Sequence, residues 1–511
     1  MARELPGFYF DPEKNRYFPI QHRAAGASQI CKTKVASSSV QSKSEAQKRK
    51  QTNKLGAVEL LYRRELAGRI LPSGNISNVL FQRELMELQA SLAKVWMYDN
   101  TSGKADGAVE QFLATKETLD GSKEANVLIV GGRNGSLGLY EVEGTREQLE
   151  YDRIICRRYP FVSTSLNQRN PSENQPSPIW TIQEPELSFE SNITAIKRLG
   201  RRSDFINHEG LNERALFTTL GSGSVGGSLY SLNLNAAPQS RLSKCISTSC
   251  TIWTADSNFD GTRAIIGTNQ GTALVDIEHR RLSWVCRSKS DVLSQQFDQS
   301  GNHIFCGFRN GAIVTVDIRS EESAQFASMH RHAVRHAAHS FSLNDGSSKS
   351  LSGKFRLKGN VNPSDAIYMP TAVCSLAALQ SDDKYLLASS MNGTIKLWDR
   401  RLIERGSVQS YEGNVNSHTM IQIGVDPTES LLASGGEDGA IRLWNVKTGK
   451  LLHTEVGFSS PVTTICWPKY RKMRESSKEE KFYEDTSFEQ KFCWGLWLGS
   501  FEGLLYMHGG G

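Results

Sequence analysis

"LLASSMNGTIKLWDRR", residues 386–401, and "LLASGGEDGAIRLWNVKTGKLLHT", residues 431–454, are two copies of one pattern. Each leads from an apolar strand through small residues to a turn, then into a strand of alternating polarity. A two-residue hairpin needs positive φ, which Asn, Asp and Gly tolerate, so Asn392-Gly393 and Asp438-Gly439 are corners. Alternation of Ile395 with Leu397, and of Ile441 with Leu443, then turns one face of each strand toward a core.

The same pattern recurs in weaker form as "VLIVGGRNGSLGLYEV", "RALFTTLGSGSVGGSLYSLNL", "RAIIGTNQGTALVDIEHRRLSWV", "HIFCGFRNGAIVTVDIRS" and "FCWGLWLGSFEGLLYMHGG", with corners at Asn134-Gly135 and Asn310-Gly311 among them. Gly271 and Gly311 stand about 40 residues apart, the length of a four-stranded propeller blade. Seven copies predict an all-β, seven-bladed propeller. It spans 127–511, with insertions at 160–190, 331–366 and 468–490.

Composition agrees with a repeat array. A chain of 511 residues exceeds the usual single domain, and 43 Gly against 15 Pro suits many tight turns. The formal charge of +6 is small for this length and gives no reason to expect direct nucleic-acid binding. Nine scattered cysteines without a CxxC pair, behind an opening "MARELPGFYFDPEK" that is no signal segment, predict reduced thiols and an intracellular address. "QKRK" at 47–50 leaves nucleus and cytoplasm both open. No apolar run approaches the ~20 residues of a membrane helix.

The first 126 residues have a different character. Residues 1–50 hold the aromatic motif "PGFYFDPEKNRYF" and a Ser/Lys/Gln-rich stretch, and 51–126 form a helical extension. Within that extension "LGAVELLYRRELAGRI" and "NVLFQRELMELQASLAKVW" place apolar residues at helical spacing, including Leu80, Phe81, Leu85, Leu88 and Leu92. The aromatic motif is too apolar for a free tail and must dock on the propeller, the helices or a partner.

Catalytic and ligand motifs weigh against their plainer readings. "GGRNGSLG" and "GSGSVGG" run into strands, whereas a phosphate-cradling loop opens a helix, so they are hairpin glycines. His330, His332, His336 and His339 lack a nearby Cys or carboxylate to complete a metal site, and no metal or cofactor is expected. No serine sits in a GxSxG elbow, so no enzyme is expected. The insertion 331–360 carries six basic residues against Asp345, which suits either an acidic target segment or a solvated loop.

The informative pair is "VDIR", Val316–Arg319, and "WDRR", Trp398–Arg401. Each ends the third strand of a blade, on consecutive blades, so Arg319 and Arg401 point from neighbouring blades into one region of the bottom face. Arginine's planar fork suits an interface. The plainer reading is a surface ion pair with Asp317 or Asp399, which contributes little. Blade 6 has Asn445 and Lys447 at these places, so folding does not require the arginine.

These repeats resemble the WD40 family. Blade 6 fits its buried hydrogen-bonded set best, with His418, Ser434, Asp438 and Trp444 matching a chain in which Asp orients His, His meets Ser and Ser meets Trp. The tandem Asp-x-Arg motifs resemble those of WD40 substrate receptors of cullin-4 RING ubiquitin ligases. That resemblance implies docking through Asp317, Arg319, Asp399 and Arg401 onto the ligase's three-propeller adaptor, the large damaged-DNA-binding subunit, and presentation of a protein substrate to the ligase. It also implies that helices before the propeller can lie in the adaptor's cleft; the residues alone allow equally that they pack on the propeller. Val316 departs from the Trp or Tyr of the family motif. The alternative is a general WD40 scaffold in another nuclear assembly, such as an RNA-processing or chromatin complex.

Overall fold

Asn-Gly and Asp-Gly corners set the architecture. Gly135, Gly311, Gly393 and Gly439 have φ of 85°, 86°, 81° and 64°, and a Cβ on Gly439 would stand 1.9 Å from the Phe458 carbonyl oxygen. These corners close hairpins, and the hairpins stack into blades. The structure, a computed structural model, describes residues 8–11, 16–19, 85–98, 101–118, 121–142, 153–154, 156–159, 179–181, 187–200, 214–222, 225–236, 240–319, 326–330, 354–468 and 494–509.

Seven antiparallel sheets follow one another as blades. Their innermost strands are Ala108–Thr118, Ile193–Leu199, Ile252–Ser257, Val292–Phe297, Val373–Ala378, Ile423–Val425 and Val462–Cys466 for blades 1 to 7. We call the face carrying the turns between second and third strands the top. The bottom face carries the turns between third and fourth strands. Core clusters lie across blade boundaries: Phe305, Ile313, Met369, Val373, Leu386 and Trp398 join blades 4 and 5, and Leu387, Leu397, Tyr411, Leu432 and Trp444 join blades 5 and 6. Each such side chain contributes about 1.5–3 kcal/mol by leaving water, so the blades hold one another.

The propeller starts earlier than residue 127, which falls inside the strand Gly121–Gly131. Lys94–Tyr98 is the fourth strand of blade 7, pairing Lys94 with His508 and Met97 with Leu505. Residues 94–96 close the stretch expected to be helical, and here β-branched and aromatic residues against a waiting sheet edge outweigh that spacing. Helix is present over residues 85–91. Its buried face is Ala90 with Met86, in one cluster with Leu443, Trp467 and Trp494, whereas Leu88 and Leu92 are each 57% exposed. Asn445 donates to Glu87 Oε1 at 2.9 Å, so this helix packs on the bottom of blade 6. The segment expected to be helical at 55–70 lies outside the described residues.

Insertions extend the blades sideways. The one in blade 4 forms the hairpin Phe326–His330 with Lys354–Gly359, whose second strand pairs with Arg281–Ser288, the fourth strand of blade 3. It therefore stands between the third and fourth strands of its own blade, and its open end reaches the top of blade 3 beyond the Ser288–Leu357 pair. Cys156–Tyr159, from the insertion of blade 1, likewise joins blade 7 beside Lys94–Tyr98. Residues 331–353 and 469–493 lie outside the described residues, as do His332, His336 and His339. Within the separate unit 1–70, Phe8–Asp11 pairs antiparallel with Arg16–Pro19.

Candidate functional site

The bottom face repeats one small device. Where the third strand ends, an Asp or Asn side chain accepts the backbone N–H two residues on. Asn233 does so from Asn235 at 3.1 Å, Asp317 from Arg319 at 3.0 Å, Asp399 from Arg401 at 2.9 Å and Asn445 from Lys447 at 3.0 Å. Such an Asx turn closes the strand whatever the second residue is. That residue is Asn, Arg, Arg or Lys in these four blades. The carboxylate or amide serves the fold, and the arginine is surplus to it.

Arg319 and Arg401 use the surplus alike. Arg319 Nε and Nη2 donate to the two Asp317 oxygens at 3.0 and 2.7 Å, and Arg401 Nε and Nη2 to those of Asp399 at 3.2 and 3.0 Å. Hydrogen bonds from the Arg319 side chain and backbone bring Asp317 down to about 2, and those from Arg401 lower Asp399. Both carboxylates stay ionised at any physiological pH. The arginine side chains remain 61% and 57% exposed, with Asp399 buried beneath Arg401 at 7%. Each guanidinium is thus held at its base by a bidentate clip, and its outer N–H groups remain available to a partner. Pre-orientation of this kind reduces the rotamer entropy lost on binding.

Arg400 behaves differently, and its sequence gives no sign of it. It lies over the Phe305 ring at 4.4 Å and donates to the Asp383 carbonyl at 2.9 Å, closing the seam between blades 4 and 5. Burial lowers its pKa, against the pull of Asp298, Asp383 and Asp365. It lines a cavity of about 140 Å³ with Ile313, Leu386 and Ile403. The neighbouring His303 meets Asp298 at 3.1 Å and stands 4.0 Å from Asp317. Of the three arginines here, two face solvent and one braces the wall between them.

The set expected in blade 6 is not brought together. Asp438 pairs with Arg442, four residues on, accepting from both terminal guanidinium nitrogens, so it does not orient the histidine. His418 is 86% exposed and bonds to Ser417 Oγ at 2.8 Å and to Glu437. Ser434 Oγ donates to the Gly435 carbonyl, and Trp444 Nε1 to the Glu412 carbonyl at 2.9 Å. The physical reason is Glu437: it accepts from Ser417 Oγ and Thr419 Oγ1 and from the His418 and Thr419 backbone, holding the loop so that His418 faces outward.

Comparison with known proteins gives this geometry a setting. The DDB1- and CUL4-associated factor 4 beta-propeller domain matches residues 348–465, which include Asp399 and Arg401. Human DDB1- and CUL4-associated factor 4 is 24% identical over 460 residues, 88% of this chain and 78% of that protein. The bovine protein of that name is 28% identical over 33% of this chain and 26% of its own length. Human DDB1- and CUL4-associated factor 4-like protein 2 is 32% identical over 33% of each. In sequence and in fold, this chain is a WD40-repeat propeller protein like DDB1- and CUL4-associated factor 4.

Proposed function

We propose that the chain is a substrate receptor of a cullin-4 ubiquitin ligase, docking on DDB1 through Arg319 and Arg401. The observation that carries this reading is the pair of clipped, exposed arginines on adjacent blades, at positions where the fold requires only the preceding Asp. Arginine held at its base and free at its fork is the arrangement an interface uses. The names of the relatives supply the partner. In this reading the chain contributes proximity: it brings a target protein to the ligase, inside the cell, in nucleus or cytoplasm, and reads no nucleic acid itself.

The helix over residues 85–91 occupies the bottom of blade 6, where Asn445 holds Glu87. Blades 4 and 5 are left as the arginine-bearing part of that face. Mixing the purified chain with purified DDB1 tests the reading. A single complex by size-exclusion chromatography and titration calorimetry is expected, and two separate peaks at micromolar concentration would overturn it.

A further inference from the structure

With the bottom face assigned to the adaptor, the top face is the surface left for a target, and one sector of it departs from the rest. The turn residue after the second strand compares blades directly. It is Arg133 in blade 1, Asn269 in blade 3, Arg309 in blade 4, Met391 in blade 5, Glu437 in blade 6 and Phe501 in blade 7. A polar residue closes this turn in four of these six blades and a methionine in blade 5, so the hairpin itself does not call for an aromatic. Phe501 is nevertheless 63% exposed; in the corresponding turn of blade 2, Val225 is 55% exposed. Val456 and Val415, on the loops leading into blades 7 and 6, are 60% and 48% exposed.

Hydrogen bonds tie these loops into one surface. Glu437 N donates to the Val415 carbonyl at 2.8 Å, and Phe458 N to the Gly439 carbonyl at 3.3 Å. Ser459 and Ser460 N–H groups donate to Glu502, beside Phe501, and Gly103 N donates to the Phe501 carbonyl at 2.8 Å. The sector is also predominantly acidic. Loops 412–421, 436–440, 455–461 and 500–503 carry Glu412, Glu437, Asp438, Glu455 and Glu502 and no Lys or Arg, and the 101–107 loop held at the Phe501 carbonyl adds one of each sign, Lys104 and Asp106. Arg442 neutralises Asp438 from the strand below; the other four carboxylates have no Lys or Arg on their loops. Blades 1 and 4 show the opposite sign at the same turn.

We propose that the top of blades 6 and 7 binds a segment of the target protein in which an apolar side chain stands beside Lys or Arg. The exposed apolar residues receive the apolar side chain, and the surrounding carboxylates attract and orient its basic neighbours. This deepens the receptor reading, on which the term target rests; the surface chemistry itself does not depend on DDB1.

The test is a random-peptide display library selected on the full chain. Enriched peptides are expected to pair Lys or Arg with a large apolar residue, and their synthetic versions to lose about ten-fold or more in affinity on Phe501→Arg or Glu412→Lys. Phe501→Arg puts at this turn the residue that blades 1 and 4 already use, so the hairpin tolerates it; Val456→Lys, on a separate loop, gives an independent reading. Enrichment of acidic or purely apolar peptides, no enrichment at all, or affinities unchanged within two-fold in both Phe501→Arg and Val456→Lys overturns the proposal. Arg319→Ala with Arg401→Ala should leave peptide affinity untouched while abolishing DDB1 capture. DDB1 capture retained in that double variant defeats only the docking reading, and failure of the peptide selection or of its variants while DDB1 capture behaves as expected defeats only this one.

Discussion

Replacing Arg319 and Arg401 by alanine separates a docking role from a folding role. Both side chains are more than half exposed in the free protein, and the backbone N–H bonds to Asp317 and Asp399 survive the change. An exposed ion pair is worth about 0.2–1 kcal/mol, so each substitution should cost on the order of half a kcal/mol in stability. For a propeller of this size the melting temperature should move by less than about 2 °C. Docking is another matter, because a guanidinium buried against a partner and then removed leaves that partner's polar groups unpaired, at about 2–5 kcal/mol. That corresponds to a loss of roughly thirty-fold or more for one arginine, and the pair together should abolish capture. Calorimetric titration with DDB1 and differential scanning calorimetry read the two quantities separately. Lys447→Ala, at the equivalent place in blade 6, is the matched control and should change neither. If the double variant binds DDB1 as the wild type does, the arginines are not the contact and a general scaffold becomes the better account.

Four further outcomes follow from the same geometry. Asp399→Ala should be the inverse of Arg401→Ala, costing about 1–3 kcal/mol in chemical denaturation because it leaves the turn N–H without its acceptor. Trp444→Ala, at a fully buried position, should cost about 3–5 kcal/mol, whereas the exposed His418→Ala should stay within about half a kcal/mol, in urea titrations. Glu437 is pushed up by burial, but hydrogen bonds from Ser417, Thr419 and the His418 backbone outweigh this and hold it at about 2. A depressed carboxylate stabilises above its unfolded pKa and loses that contribution as pH falls through the folded value, so stability should decline between about pH 4.5 and 2, and less in Glu437→Gln by denaturation at stepped pH. Deleting residues 1–84 should leave the propeller folded by circular dichroism, and deleting 1–99 should not, since the latter removes the fourth strand of blade 7.

Much of this architecture was legible because it is local. Asn-Gly and Asp-Gly corners followed by alternating strands gave the blade count, and the order of the blades put Asp317 and Asp399 on neighbours. What the repeat pattern could not carry was pairing between distant segments. Lys94–Tyr98, Cys156–Tyr159 and Lys354–Gly359 all add to blades built from other parts of the chain, and no turn signal announces them. In blade 6 the residue types of a familiar set were present, but Arg442, on the strand that leaves the turn of Asp438, took that carboxylate first. For the helix, spacing singled out Leu85, Leu88 and Leu92, whereas the structure buries Ala90 and Met86 and leaves Leu88 and Leu92 exposed. Arg400 shows the same limit at the candidate site: adjacent in sequence to Arg401, it serves the opposite purpose because the seam with Phe305 lies on its side.

The closure of blade 7 by Lys94–Tyr98 sets a timetable for biosynthesis. Trp96 and His508, joined by a hydrogen bond of 3.1 Å, are separated by 412 residues. At about 5–20 residues per second, a ribosome exposes the early strand for roughly 20–80 s before its mate exists. Throughout that interval its main-chain edge is open to pairing with any other strand, in this chain or a neighbour. Loop closure over such a distance makes the ring's last step its slowest. Nascent copies of this protein should therefore depend on chaperones until the final blade emerges, and variants that weaken Lys94–Tyr98 should show their damage in yield before they show it in the finished fold.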